Sequence, residues 1–104
     1  MKTTIELKDS ANNVLHTVTA DTLRGADLHG ANLAGAVLNW CVMVGANLQH
    51  ATLANVAAYG VDLRKADLRS ADLRGANLRE ADLRKAKLQG AVTDETTNTM
   101  GILR

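Results

Sequence analysis

Phenylalanine and proline are absent from this chain, and tryptophan, tyrosine and cysteine occur once each. An aromatic core is therefore excluded, and Cys41 has no second thiol with which to close an internal disulfide. No apolar run approaches the roughly 18 uninterrupted residues that a membrane-spanning helix needs, so a membrane is not an expected partner. The opening segment Met1-Lys2-Thr3-Thr4-Ile5-Glu6 also lacks the apolar stretch of a signal peptide, which makes the cytoplasm the expected location. An excess of charge of either sign is missing too: 12 Lys and Arg stand against 11 Asp and Glu, for a net +1. Whole-molecule electrostatics thus favours neither nucleic acid nor a basic partner. In 104 residues there is room for one domain and one core, and alanine and leucine must build it.

What is present is a period of five. Leucine stands at Leu23, Leu28, Leu33, Leu38, Leu48, Leu53, Leu63, Leu68, Leu73, Leu78, Leu83 and Leu88, with Met43, Ala58 and Thr93 in the same phase, making 15 consecutive units from Asp21 to Glu95. Two places earlier in most units stands alanine, as in Ala26, Ala31, Ala36, Ala66 and Ala71, with Cys41, Val56 and Val61 as small or medium apolar substitutes. The place between is mostly Asp, Asn or Thr, and the fifth place is often glycine.

Five steps suit neither regular element. On an α-helix of 3.6 residues per turn the leucines would smear around the cylinder. On a flat strand an odd period would send successive leucines to opposite faces. The chain must turn a corner once per unit. A short extended segment then points its alanine and leucine, two residues apart, to one side and the intervening Asp or Asn to the other. Coils built this way stack through parallel ladders about 4.8 Å apart, with alanine in the crowded inward slot near each corner and leucine filling the tube in layers. The period alone permits three or four sides per coil.

The run Ala66-Asp67-Leu68-Arg69-Ser70-Ala71-Asp72-Leu73-Arg74-Gly75-Ala76-Asn77-Leu78-Arg79-Glu80 resembles the A(D/N)LXX pattern of the pentapeptide-repeat family, and the likeness covers about seven tenths of the chain. The resemblance implies an all-β, right-handed quadrilateral parallel β-helix, and it supplies the four sides. Fifteen units then make about 3.75 coils over residues 21–95, roughly 18 Å tall. Such a solenoid needs capped ends. Thr3 to Lys8 and Val14 to Thr19, flanking the turn cluster Asp9-Ser10-Ala11-Asn12-Asn13, read as an N-terminal β-hairpin cap within residues 1–20. Ile5 and Leu7 share one face of its first strand; Val14 and Val18 share one on the second, with Leu15 opposite. Over residues 96–104 the apolar Met100, Ile102 and Leu103 are expected either to lid the last coil or to pair with a second subunit, although the C-terminal dimerisation elements of some family members are longer helices than this tail can form.

Arginine follows the central leucine at Arg64, Arg69, Arg74, Arg79 and Arg84, each two residues after Asp62, Asp67, Asp72, Asn77 or Asp82. Consecutive units lie on different sides, so these arginines form a salt-bridged girdle rather than a nucleic-acid stripe, and nucleic acid is not an expected partner. Residues 31–60, in contrast, contain no Asp, Glu, Lys or Arg. The outward slots of that stretch hold Val37, Trp40, Val42, Val44, Ala57 and Tyr59, which numbering by twenties gathers on the fourth side and the adjoining first side. This is the candidate protein-interaction patch, since exposed apolar clusters with Trp and Tyr mark contact surfaces; cover by the chain's own hairpin is the competing explanation. Ala58 stands where a leucine would fill the tube, so the core is expected to be thinner there. His29 and His50 fall in neighbouring coils without a third ligand, so no metal is expected. Cys41 reads as a small buried hydrophobe.

No nucleophile, base and orienting group occur together, and a filled tube has no deep pocket, so neither catalysis, a small-molecule substrate nor a cofactor is expected. The sequence-level reading is a rigid scaffold that binds a protein partner or a second copy of itself. The alternative comes from the resemblance: some family members mimic duplex DNA, bind type II topoisomerases such as gyrase and protect against quinolones. That role asks for a long, strongly negative rod, from which this short and nearly neutral chain departs. The resemblance also points to a bacterial or phage origin.

Overall fold

The computed structural model describes residues 3–104, so Met1 and Lys2 of the expected 1–20 cap lie outside the described residues. Strand β1 (Thr4–Lys8) pairs antiparallel with β2 (Val14–Thr19), in the register Ile5 to Val18 and Leu7 to His16. Asp9 organises the turn between them. Its Oδ1 accepts the N–H groups of Ala11 and Asn13, and its Oδ2 accepts the Asn13 side-chain amide, the local bonding that makes Asp a turn residue. Between Leu7 and Lys8 the register slips, because Lys8 pairs with Val14 and leaves Leu15 as an extra residue. A bulge reverses the in/out alternation beyond it. Leu15 therefore packs against the core together with Val18, while Val14 is turned to solvent. This corrects the face assignment read from alternation alone. On β1, Leu7 is buried and Ile5 packs beside it.

Beyond the hairpin the chain winds into a coil whose parallel bridges join residues twenty apart: Asp27 to Asn47 to Asp67 to Lys87, Asn32 to Thr52 to Asp72 to Val92, Val37 to Ala57 to Asn77, and Val42 to Asp62 to Asp82. Twenty residues at five per side make a four-sided coil. Two hydrogen bonds serve each bridge, and a third, such as Gly30 N–H to Gln49 O (2.9 Å), ties most corners to the next coil. Leu28 N–H donates to Asn47 O (2.8 Å), and Asn47 N–H donates to Ala26 O (2.9 Å). Each corner closes on a bond such as Ala26 N–H to Leu23 O, with a left-handed residue just before the alanine. All eight glycines occupy that corner slot at φ between 63° and 77°, where the missing Cβ removes the steric penalty.

The outward Asp or Asn, where a unit has one, has a role that alternation did not disclose. Its side-chain oxygen accepts the N–H two residues on, as in Asp27 to His29, Asn47 to Gln49 and Asn98 to Met100. It thereby caps the corner. The core is a column of aliphatic side chains that includes Leu28, Leu33, Met43, Leu48 and Leu68, and among the described residues it contains no buried polar group. At Ala58 the column thins, leaving a void of about 10 Å³ among Leu38, Met43, Leu53, Val56 and Leu78.

The hairpin is joined to the first coil by an antiparallel bridge from Asp9 to Ala36 and by the Val37 N–H donating to Lys8 O (2.8 Å). At the far end the expected change of structure after Glu95 does not occur. One residue is inserted at the corner, and the ladder then resumes with Asn77 to Asn98 and Asp82 to Leu103. Asp94 and Thr97 absorb the insertion. Asp94 Oδ1 accepts from the N–H and hydroxyl of Thr96, and the Thr97 hydroxyl donates to Leu73 O. The tail thus extends the coil instead of crossing its mouth, a concavity of about 630 Å³ floored by Leu73, Leu78 and Leu83.

Candidate interaction surface

The corner between the fourth and first sides carries two stacked columns. One runs through Trp40, Gly60, Glu80 and Gly101, all left-handed; the other runs through Asn39, Tyr59, Arg79 and Met100. Trp40 N–H donates to Tyr59 O, and Tyr59 N–H donates to Asn39 Oδ1, both at 2.8 Å. The backbone therefore holds the two aromatic residues one ladder step apart. Their rings meet edge to face, 5.2 Å between centroids at 68°, a favoured aromatic geometry.

The indole lies over Gly60, where any Cβ would collide with its six-membered ring. Glycine at this position is thus favoured by a φ of 67° and required by the ring on top of it. Tyr59 is in turn covered on its other side by Arg79, whose guanidinium carbon stands 5.6 Å from the ring centroid, within cation–π reach. Trp40, Tyr59 and Arg79 form one continuous ridge.

The ridge is flanked by Val37, 43% exposed, on the fourth side and Val42, 42% exposed, on the first. Ala57 bridges Val37 in the next coil and is half-buried. Val44 is also half-buried but stands at the far corner of the first side, where its carbonyl accepts the Gly25 N–H. The structure therefore joins Trp40, Tyr59, Val37, Ala57 and Val42 around one corner and sets Val44 apart from them. The hairpin runs along the edge of Ala36 and Val37 without covering the patch, and Trp40 remains 68% exposed. Gly60 and Asn39 belong to the site and were not singled out in the sequence, and Arg79 was assigned there to the girdle instead. Gly60 and Asn39 could have been found by adding or subtracting twenty from Trp40 and Tyr59; the ring contacts could not.

The girdle of arginines is ordered by bidentate forks. Arg64, Arg69, Arg74 and Arg84 each place Nε and Nη2 on the two oxygens of the Asp two residues before, at 2.7–3.0 Å. These arginines hold Asp67, Asp72 and Asp82 at a pKa of about 2 and lower that of Asp62. Arg79 is the exception, because Asn77 stands where the others have Asp. The Asn77 side chain accepts only the Arg79 N–H, and the guanidinium goes to Tyr59 instead.

His29 and His50 meet edge to face at 6.4 Å, and no group of three or more metal-ligating side chains occurs among the described residues. Cys41 is half-buried against the core, and burial raises its thiol pKa.

The pattern described as Pentapeptide repeats matches residues 23–56 and 59–92 in eight copies. The chain belongs to the pentapeptide-repeat family, and its fold is that family's right-handed quadrilateral β-helix. Among solved structures it is similar to HetL, a pentapeptide repeat protein involved in heterocyst differentiation regulation from the cyanobacterium Nostoc sp. strain PCC 7120. The two share 36% identity over 78% of this chain and 35% of HetL, with a TM-score of 0.50. It is also similar to Rfr23 from the cyanobacterium Cyanothece 51142, at 30% identity over 71% of this chain and 57% of that one, with a TM-score of 0.39. A pentapeptide repeat protein from the Arabidopsis thaliana thylakoid lumen shares 31% identity over 77% of this chain and 62% of its own, with a TM-score of 0.36. The chain therefore spans less than two thirds of each of these three proteins. No curated protein matches it.

Proposed function

We propose that this chain is a non-enzymatic rigid scaffold that docks a protein partner on the corner built by Trp40, Tyr59 and Arg79. The observation that carries the reading is the indole itself: a tryptophan 68% exposed, held in place over Gly60 and braced by Tyr59. Trp, Tyr and Arg are the side chains that most often dominate interface energies, and a rigid ring loses little entropy on binding. The uncharged flank of Val37, Ala57 and Val42 provides apolar surface around the anchor. A role in regulation through contact, without chemistry, is in keeping with the regulatory involvement of HetL. The DNA-mimic alternative is less well supported, because four of the aspartates that would have to supply a negative surface are each forked by their own arginine.

Capture from a native host lysate tests the proposal, with wild type and Trp40→Arg compared side by side and light scattering used to detect self-association. Trp40→Arg leaves the circular dichroism spectrum unchanged and loses the captured protein. Identical captures by the two forms would refute the docking role of this corner.

A further inference from the structure

Among the described residues, two lysines stand unpaired beside the girdle. Each forked arginine is neutralised by its own aspartate, yet Lys65 and Lys85 make no ion pair among the described residues. They stand one directly above the other. The bridge from Asp62 to Asp82 sets their coils one ladder step apart, and both occupy the left-handed corner slot, at φ 60° and 63°. Their backbones are one strand spacing of about 4.8 Å apart, so two like charges share one corner, and a non-glycine residue in the left-handed region adds strain of its own. The same slot holds glycine at Gly25 and Gly45, farther down this corner.

Around the pair lies a groove of about 220 Å³ lined by Arg64, Lys65, Arg84 and Lys85 alone, with no acidic side chain in its wall. Asp62 and Asp82 stand behind it, occupied by the arginine forks, with Arg64 Nε also 3.8 Å from Asp82. The forks use Nε and Nη2, so Nη1 of both arginines stays outside them. Four cations against two carboxylates leave an excess of two positive charges. The whole first side of the coil separates this corner from the Trp40 ridge, so the groove is independent of any docking on that ridge.

The geometry points to a binding site for a compact oxyanion of the diphosphate class, held between the Lys65 and Lys85 ammonium groups. A diphosphate carries enough charge to relieve both lysines at once, and its two phosphoryl groups can each face one coil. Charge-assisted hydrogen bonds from ammonium to phosphoryl oxygen are the strong ones. A single orthophosphate brings one phosphoryl group and less negative charge to set against the two lysines. A long polyanion gains little, because the unpaired charge is confined to two layers of one corner.

Titration of the whole chain at low salt, by calorimetry and by amide and lysine side-chain NMR, tests this with inorganic pyrophosphate, orthophosphate and a nucleoside diphosphate as probes. Pyrophosphate binds about tenfold or more tightly than orthophosphate, and its shifts centre on Lys65 and Lys85. A nucleoside diphosphate that equals pyrophosphate identifies the diphosphate alone as the recognised group; one that binds more tightly identifies a nucleotide as the natural source. Lys65→Asn/Lys85→Asn loses at least about tenfold in affinity and still folds, since asparagine tolerates the left-handed slot, as Asn55 does. Lys65→Arg/Lys85→Arg retains binding, and Arg24→Gln, on the same corner two coils away, changes nothing. Absence of binding at roughly 10 mM pyrophosphate, undiminished binding by the asparagine pair, or equal shifts at Arg24 and the other cations would overturn the assignment.

Discussion

Arg79 lies over the Tyr59 ring because the residue two places before it is Asn77. In the four units where that place is aspartate, the guanidinium folds back onto its own unit in a bidentate fork. One amide in place of one carboxylate therefore redirects a cation from the girdle to the aromatic corner one coil away.

Restoring the carboxylate should undo this. In Asn77→Asp, Arg79 forms a fifth fork and leaves Tyr59, so the ring-current shift on the Arg79 side-chain protons disappears from the NMR spectrum. Both arrangements are on the surface, and stability moves by no more than about 0.5 kcal/mol. Retention of the ring-current shift would show that the ring, and not the missing carboxylate, holds the arginine.

Gly60→Ala places a methyl group where the indole rests. The ring must leave the corner, which separates Trp40 from Tyr59, and alanine at positive φ adds about 1 kcal/mol of strain. Tryptophan emission shifts to the red, and unfolding moves to lower denaturant by an amount matching about 1 kcal/mol. Gly45→Ala, at a similar φ but with nothing near the added methyl, lowers stability to a similar extent and leaves the emission unchanged. An emission shift in both variants would break the link to the indole.

Depth along the tube sets the cost of removing a leucine. Leu68 is fully buried between coils, and Leu68→Ala should destabilise by about 3 kcal/mol. Leu88, 39% exposed in the last coil, has solvent where Leu68 has a further layer, so Leu88→Ala should lower stability by less than about 1.5 kcal/mol. Urea unfolding of the two variants measures the difference directly, and equal losses would mean that the last coil is as tightly packed as the middle.

The aspartate forks make stability depend on acid in a defined window. In the unfolded chain these carboxyls ionise near 3.8, whereas in the fold Asp67, Asp72 and Asp82 ionise near about 2. Their folded pKa is depressed, so the stabilisation is complete above the unfolded value and is lost as pH falls through about 2. The thermal midpoint should hold down to about pH 4, decline between there and about pH 2, and decline less in high salt, because the arginine of every pair is exposed to solvent. A midpoint that does not change over that interval would show that the forks add nothing.

Alternation and period together made the tube legible. Alanine and leucine two apart, repeated every five, admit only a chain that bends once per unit, because packing must be satisfied in every layer by the same slots. The patch of Val37, Trp40, Val42, Ala57 and Tyr59 emerged from counting by twenties, once four sides were taken from the family resemblance. Hydrophobic pattern reports which side of the backbone a residue faces. It does not report irregularities that cost one residue. The bulge at Leu15 and the insertion before Thr97 each shift the phase by one, and only hydrogen-bond register across the assembled coils reveals which phase prevails. Nor does periodicity say which surface group a long side chain will choose. Arg79 could have stayed in the girdle or crossed to Tyr59; that choice depends on atoms twenty residues apart in sequence and one ladder step apart in space, a distance that only the folded coil creates.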